Sequence, residues 1–424
     1  MTLDIFPNEY PELTLDFRNA RTLDPRITFS RASTATYVND LGQVATADTD
    51  APRLTSEGLL IEESRTNYNY PSNDFLDSRY TVSPDYTTSN QTAPDGSNDA
   101  VYFAETVGLD ALYINPTPPT GNWATTATGS VYVKLIGSRQ YFAIREVQAG
   151  SDFVRATFDL ANESYKFVEG DLVNRTSYSA DIQNVGNGWY RCSLTVTYPS
   201  ATDIAMYFGP ADTDTGGNKT NSGSGAPTNT ALANSGMVLW GYQLEEGTFS
   251  TSLIPTSGAE VTRAADLCEI TGADFSSWYN PSESTLVTEW YAFNQSMVVA
   301  LNDGTSSKRI LVDNSTDSSN ETRIPHFLVG GSSTFIMWTD APNLNTNLKD
   351  AFTMRDGDSS CATNGALYTS SSGQQSTVPT PITQLQFFDN HNGTKQASGY
   401  VQRLSYYPTR VPDSALQALT NPSA

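Results

Sequence analysis

Basic residues are scarce in this chain, sulfur and imidazole ligands are few, and long apolar runs are missing. Lys and Arg number 24 against 46 Asp and Glu, a net charge of −22. Such a chain repels a phosphate backbone, which sets nucleic-acid binding aside. The three cysteines, Cys192, Cys268 and Cys361, lie far apart without a CxxC spacing. They read as small buried hydrophobes rather than metal ligands or a disulfide framework. With two histidines, His326 and His391, a zinc site is not expected. No apolar run approaches the ~20 residues of a membrane span. The start, MTLDIFPNEYPELTLDF, has neither a basic n-region nor an apolar h-region. The expectation is a soluble chain made in a cytosol, with no membrane insertion.

Charged residues of both signs make up only 17% of the chain, below the usual quarter or so. Ser, Thr, Asn and Gly fill the gap, which disfavours helix bundles and suits short strands joined by many turns. Hydrophobic residues at 38% and aromatics at 11% are enough to build cores. A length of 424 residues implies more than one core, because a single core rarely exceeds about 250–300 residues.

Period-2 segments dominate from about residue 97. DAVYFAET, ALYINP, GSVYVKLIG, QYFAIREV, FVRATFDL, WYRCSLTVTY, IAMYFG and MVLWGYQLEE alternate apolar and polar side chains. In WYRCSLTVTY, Tyr190, Cys192, Leu194 and Val196 share one face, opposite Arg191, Ser193, Thr195 and Thr197. That pattern predicts a half-buried antiparallel strand. Strands resume after Asp266 with STLVTEWYAF, SMVVALND, RILVDN, PHFLVGG, STFIMWTD, ITQLQFFDN and GYVQRLSYYP. The fold class is therefore all-β, with two tandem antiparallel β-sandwich domains at 70–255 and 267–424. Residues 256–266, IPTSGAEVTRAAD in context, read as a linker. Residues 1–69 hold one main strand candidate, GLLIEE, and read as an irregular docking segment that packs on a neighbour or a partner. PTRVPDSALQALTNP carries the one clear helix signal. Pro412 and Asp413 act as breaker and cap, Leu416 and Leu419 share a face, and Asn421-Pro422 ends it.

Candidate sites are few. Residues 211–236 are rich in Gly, Ser, Asn and Thr without apolar period, a long exposed loop of the kind that carries function or merely moves. Trp123, beside Asn122 in PPTGNWATT, is the tryptophan best placed to meet a ligand from a loop. Trp240 and Trp290 lie within strands and read as core. DNHNGT (Asp389 to Thr394) and LNDGTS (Leu301 to Ser306) offer oxygen ligands for calcium, but read first as hairpin turns, so no cofactor is expected. Glu245-Glu246 and Glu62-Glu63 are adjacent pairs and point to opposite faces of a strand. The first pair is expected to be structural. No G-x-S-x-G pattern stands near either histidine, and no β-helix repeat is present.

Three blocks carry a resemblance. WGYQLEEGTFSTSLIPTSGAEVTRAAD (Trp240 to Asp266) is similar to a segment of the structural proteins of tailed bacteriophages. Phe29 to Thr36, Pro52-Arg53 and Gly58 to Asn67 resemble the N-terminal signature of the same proteins. Gly399 to Thr420 resembles the closing segment of their concanavalin-like, laminin-G-like domains. One departure stands at Phe75-Leu-Asp-Ser-Arg-Tyr80, where that family usually has a Trp, so no ligand role of that Trp transfers.

The resemblance implies a virion fibre, tail or head component, with a jelly-roll module followed by a laminin-G-like one. It also implies other virion proteins as partners through the N-terminal segment, host-surface glycan as ligand, and a homotrimer. A purely structural capsid or tail decoration is the alternative. A glycan hydrolase stands third, because its paired carboxylates should lie about 5–5.5 or 6.5–9.5 Å apart, and the E-x-D-x-x-E element of concanavalin-like glycosidases has no counterpart here. The chain is accordingly expected not to be an enzyme.

Overall fold

The computed structural model describes residues 10–82, 86–105, 114–117, 119, 124–149, 152–170, 175–214, 231–294, 297–316, 322–329, 332–339, 345–369, 377–388 and 398–422. It is all-β, built as two compact units. Unit 1 comprises Met1–Thr34, Ala47–Ser64 and Ala264–Ala424; unit 2 comprises Ala35–Thr46 and Arg65–Arg263.

Unit 2 is a two-sheet sandwich. One sheet runs Ser177–Gly186, Trp189–Thr202, Ala124–Ile136, Gly236–Glu246, Ala100–Glu105, Tyr86–Gln91. The other runs Ser164–Glu169, Asp152–Asp159, Tyr141–Ala149, Met206–Ala211, Ile114–Pro116, Tyr80–Val82. Val131, Cys192, Leu194 and Leu239 from the first sheet share one core with Phe142, Val154, Phe158 and Phe208 from the second. Phe75 sits in that core, edge-on to Phe103 and Phe208 with ring centres 6.3 and 5.9 Å away. Tyr80 is buried too. Its hydroxyl donates to the Pro71 carbonyl at 2.5 Å and accepts from Asn69 Nδ2 at 2.7 Å.

The strand Trp189–Thr202 is covered on both faces, not one. Arg191, Ser193 and Thr195 are buried along with Cys192, Leu194 and Val196. Thr195 Oγ1 donates to the Thr248 carbonyl at 3.3 Å, so the chain after Glu246 lies over the polar face. Alternation tells which face is apolar; it does not tell that the other meets water.

Unit 1 is also a sandwich. One sheet runs Ala366–Thr369, Ser360–Thr363, Asn347–Arg355, Glu283–Ala292, Gly399–Tyr407, Gly58–Ile61, Arg53–Thr55, with Leu13–Asp16 also paired to Gly399–Tyr407. The other runs Thr28–Ser30, Leu267–Thr271, Gln384–Phe387, Met297–Asn302, Lys308–Thr316, Thr322–Val329, Ser332–Thr339. Leu286, Trp290, Phe352 and Leu404 meet Ile270, Leu301, Ile310 and Phe387 in the core between them. Helix Asp413–Leu419 covers the opposite face of the first sheet, setting Leu416 and Leu419 on Val287, Ala351 and Tyr407. Its N-cap is Pro412, without a side-chain cap bond, and Asp413 is instead a first-turn acid paired with Arg410 at 2.7 Å.

The division of the chain differs from the sequence expectation. Residues 1–69 do not stand apart as a docking segment. Leu13, Leu15 and Phe17 are core residues of unit 1, and Leu13–Asp16 pairs in register with Arg403–Tyr406. Gly58 makes the turn between two more strands of that sheet at φ +124, where a Cβ would lie 2.4 Å from the Val401 carbonyl oxygen. Residues 256–266 are no free linker either. Val261–Arg263 pairs with Arg65–Asn67 in unit 2, and Arg263 and Asp266 are both buried. Strands of three or four residues carry too little periodicity to be read locally, and their partners lie hundreds of positions away.

One buried acid makes unit 1 sensitive to pH. Asp350 is fully buried and accepts from Trp290 Nε1 at 2.6 Å and from Thr363 Oγ1 at 2.7 Å. Burial outweighs those two bonds and pushes its carboxyl from the ordinary 3.8 up to about 6. The folded state therefore holds this proton more tightly than the unfolded chain. The associated stability is fully present below about pH 4 and is lost as pH rises through about 6, a total on the order of 3 kcal/mol. Urea midpoints of wild type and Asp350→Asn across pH 4–7 should show the wild type losing ground to the variant as pH rises. A gap that stays constant over that range contradicts the assignment.

Candidate functional site

The first member of each acidic pair singled out in the sequence is an internal fitting. Glu245 is fully buried near the end of strand Gly236–Glu246, while Glu246 is exposed. Glu245 Oε1 accepts from Gln243 Nε2 at 2.7 Å and from the Thr251 amide at 2.8 Å, and Oε2 accepts from Thr251 Oγ1 at 2.7 Å. Gln243 in turn accepts from the Ile254 amide at 2.6 Å. Asn67 is spent in the same way, accepting from the Leu244 amide at 3.0 Å and donating to the Ile254 carbonyl at 3.0 Å. In unit 1, Glu62 accepts from Arg53 at 2.5 Å, and Asp266 accepts from Arg31 at 2.9 Å, from the Glu62 amide at 2.8 Å and from Arg53. Burial alone would lower Arg53; Glu62 and Asp266 override it and raise its affinity for the proton.

Other expectations divide between placed and unplaced residues. Trp240 and Trp290 are buried as expected, and so are Trp189 and Trp278. Trp123 and Asn122 lie outside the described residues, as do 215–230 of the long loop, His391 and the whole of Asp389 to Thr394. Leu301 to Ser306 contains the hairpin connection from Met297–Asn302 to Lys308–Thr316. Asp303 Oδ1 accepts there from the Thr305 amide at 2.9 Å and hydroxyl at 2.6 Å, with Gly304 at φ +81. The three cysteines are buried free thiols, each raised by burial and nearby carboxylates. Among the described residues no cluster of His, Cys, Asp and Glu has metal-site geometry, and no helix is long and apolar enough to cross a membrane.

A cleft that sequence reasoning missed opens in unit 1, with a volume of about 480 Å³. Ligand pockets commonly measure ~300–1,000 Å³. It lies at one end of the paired strands Leu267–Thr271 and Gln384–Phe387, where Thr271 stands opposite Gln384. The short helix Gly272–Ser276 and the turn after it bring Phe275, Trp278 and Tyr279 together, the i, i+3, i+4 spacing of one helical face. Phe275 and Tyr279 stack with ring centres 4.8 Å apart, and Trp278 meets Tyr406 edge-on at 4.7 Å. Phe275 and Ile382 are the buried part of the lining; Ser276, Pro281, Pro381 and Thr383 are exposed on it.

The chemistry of the lining is neutral. It contains no Asp, Glu, Lys, Arg or His, only apolar surface with hydroxyls and the Gln384 amide. Tyr279 Oη is shielded from solvent without a hydrogen-bond partner, and burial together with Tyr406 pushes its phenol up, so it stays protonated. The arrangement can hold a neutral ring against aromatic and proline surface and bond its hydroxyls. It holds no pair of carboxylates for acid–base work. The sequence signal was FSSWYNP: three aromatics at helical spacing, stopped by proline.

No protein-family model and no curated protein matches the chain. Among solved structures, a carbohydrate-binding module of a Ruminococcus gnavus sialidase is 13% identical, covering 35% of this chain and 88% of its own, with a TM-score of 0.28. Domain 4 of an extracellular arabinanase from Geobacillus stearothermophilus, in complex with arabinotriose, is 10% identical, covering 42% and 83%, with a TM-score of 0.29. Trypanosoma rangeli sialidase in complex with the inhibitor DANA is 11% identical, covering 76% and 60%, with a TM-score of 0.27. Likeness at this level reaches neither a ligand nor a reaction.

Proposed function

We propose that this chain is a non-enzymatic component of a tailed-bacteriophage particle, a fibre or adhesin whose sandwich units contact host-surface glycan. The neutral aromatic cleft at Phe275 and Tyr279 carries the binding part of this reading. The C–H face of a sugar ring packs on aromatic and proline surface, and its hydroxyls bond to Ser276, Thr383 and Gln384 on the lining. The three resembling blocks support the virion part, and with it contact with other virion proteins and assembly as a trimer. The full use of Glu62 and Glu245 in internal hydrogen bonds supports a role without catalysis. Many copies on one particle turn weak contacts into firm adhesion.

Titration of the full chain with purified host-surface polysaccharide tests the reading. Binding is expected, and Thr383→Trp, which fills the cleft from an exposed position, should weaken it at least tenfold with the fold intact. Absence of binding at high protein concentration, with the chain still found on particles, would favour pure decoration. Release of reducing ends from the polysaccharide would overturn the non-enzymatic part.

A further inference from the structure

The cleft in unit 1 has a floor and a rim of opposite character, and the contrast narrows what it takes. Phe275 and Ile382 form the floor; they are 1% and 6% exposed and belong to the core of the unit. Neither side chain carries a polar atom. Thr271, Ser276, Thr383 and Gln384 stand on the rim, exposed or half-buried. Among the described residues, none hydrogen-bonds the side chain of any of these four. Elsewhere in the chain the same residue types are committed: Thr251 to Glu245, Gln243 to the Ile254 amide, Thr128 to Thr195. Tyr279, Pro281 and Pro381 complete the walls with flat apolar surface.

A ligand that suits both halves is polar where it meets the rim and free of polar atoms where it meets the floor. The volume of about 480 Å³ is that of about sixteen waters of the liquid. The cleft therefore takes the end or a branch of a glycan rather than a long run of it. An ordinary hexose turned with C6 inward buries its 6-hydroxyl against Phe275 and Ile382 without a partner. An N-acetylhexosamine carries its acetamido carbonyl and N–H down together with the methyl. A buried polar group without a hydrogen bond is costly, whereas a buried methyl group is favourable. A 6-deoxyhexose presents a bare methyl on C5 and keeps its hydroxyls on the rest of the ring. Hydroxyl and amide side chains on the rim can donate to those hydroxyls and accept from them.

We propose that the cleft is selective for a 6-deoxyhexose, with its C6 methyl seated on Phe275 and Ile382 and its hydroxyls bonded to the rim. This rests on the glycan-contact reading above and names the sugar class that the reading leaves open. Uronic acids are disfavoured twice. The lining holds no cation to receive a carboxylate, and the net charge of −22 repels one.

Ligand-observed NMR titration of the full chain tests this with methyl glycosides in pairs that differ by one oxygen atom. The pairs are L-rhamnose against L-mannose and L-fucose against L-galactose. In at least one pair the deoxy sugar should bind about tenfold more tightly or better, the scale on which one small group decides in an apolar pocket. Saturation transferred from the protein should be greatest at its C6 methyl. Ile382→Thr places a hydroxyl on the floor and should bring the ratio within that pair close to unity. The ratio is read within one protein, so lost stability does not imitate the effect. Should Ile382→Thr not fold, the wild-type ratio and the methyl transfer decide alone.

Equal affinities within both pairs overturn the proposal, as does transfer greatest at the ring protons or a deoxy preference unchanged in Ile382→Thr. If host polysaccharide binds and Thr383→Trp weakens it, but none of the four glycosides competes, this proposal fails and the glycan reading stands. If neither the polysaccharide nor any glycoside binds, both fail.

Discussion

Asp266→Ala should destabilise unit 1 by about 3–5 kcal/mol, the usual cost of breaking a buried ion cluster by removing one partner. Four charges, Arg31, Arg53, Glu62 and Asp266, are shut away from solvent and cancel one another. Asp266 touches both arginines, and it also accepts from the Glu62 amide at 2.8 Å. Without it two guanidiniums face one carboxylate in a dry site, and a backbone N–H loses its acceptor. Asp266→Asn should recover little, because it restores the shape and not the charge. Urea denaturation curves of the three proteins give the comparison. A change for Asp266→Ala of under about 1 kcal/mol, the value of a surface pair, would mean that water reaches the cluster.

Glu245→Ala should cost unit 2 about 3 kcal/mol, by a different route. Three neutral donors, from Gln243 and Thr251, hold Glu245. The carboxylate and Gln243 together tie the segment that runs to Ile254 back onto strand Gly236–Glu246. Truncation strands the Thr251 amide in the interior and takes one of its acceptors from Gln243 Nε2. Glu245→Gln keeps one accepting oxygen and should cost about 1 kcal/mol. Glu246→Ala, one residue on and exposed, should cost almost nothing. If Glu245→Ala and Glu246→Ala unfold at the same urea concentration, the segment is held by packing instead.

These two clusters explain why the recognisable blocks of the sequence point to no ligand. Arg31 belongs to the FSRAST block, Arg53 to Pro-Arg, Glu62 to GLLIEE and Asp266 to TRAAD, and the four meet in one place although Arg31 and Asp266 are 235 positions apart. Gln243, Glu245 and Asn67, from WGYQLEE and the Arg-Thr-Asn element, meet in the other. The N-terminal block and the 240–266 block supply the polar clamps of two sandwiches. Their residue types were plain in the sequence; their partners were not, because a hydrogen bond leaves no trace in local periodicity.

Strand content followed a different rule. Among the described residues, the long alternating segments read from the sequence contain strands, since period-2 burial is a local property of the pleated backbone. Short segments such as Leu13–Asp16, Arg65–Asn67 and Val261–Arg263 escaped, and with them the true division of the chain. The cleft at Phe275 escaped as well, because FSSWYN reads equally as core. Only the approach of Pro381 to Gln384 from the far side makes it a hollow.

By itself the sequence determined the fold class, the acidity that repels polyanions, and the burial of Trp240 and Trp290, all of which depend on composition and nearest neighbours. The tertiary structure alone decided that the glutamates are clamps, that the first 69 residues are divided between two cores, and that Arg145 faces Arg155. Each of these depends on which strand lies beside which. That choice is made by the collapse of the whole chain around its two cores, and no window along the sequence contains it.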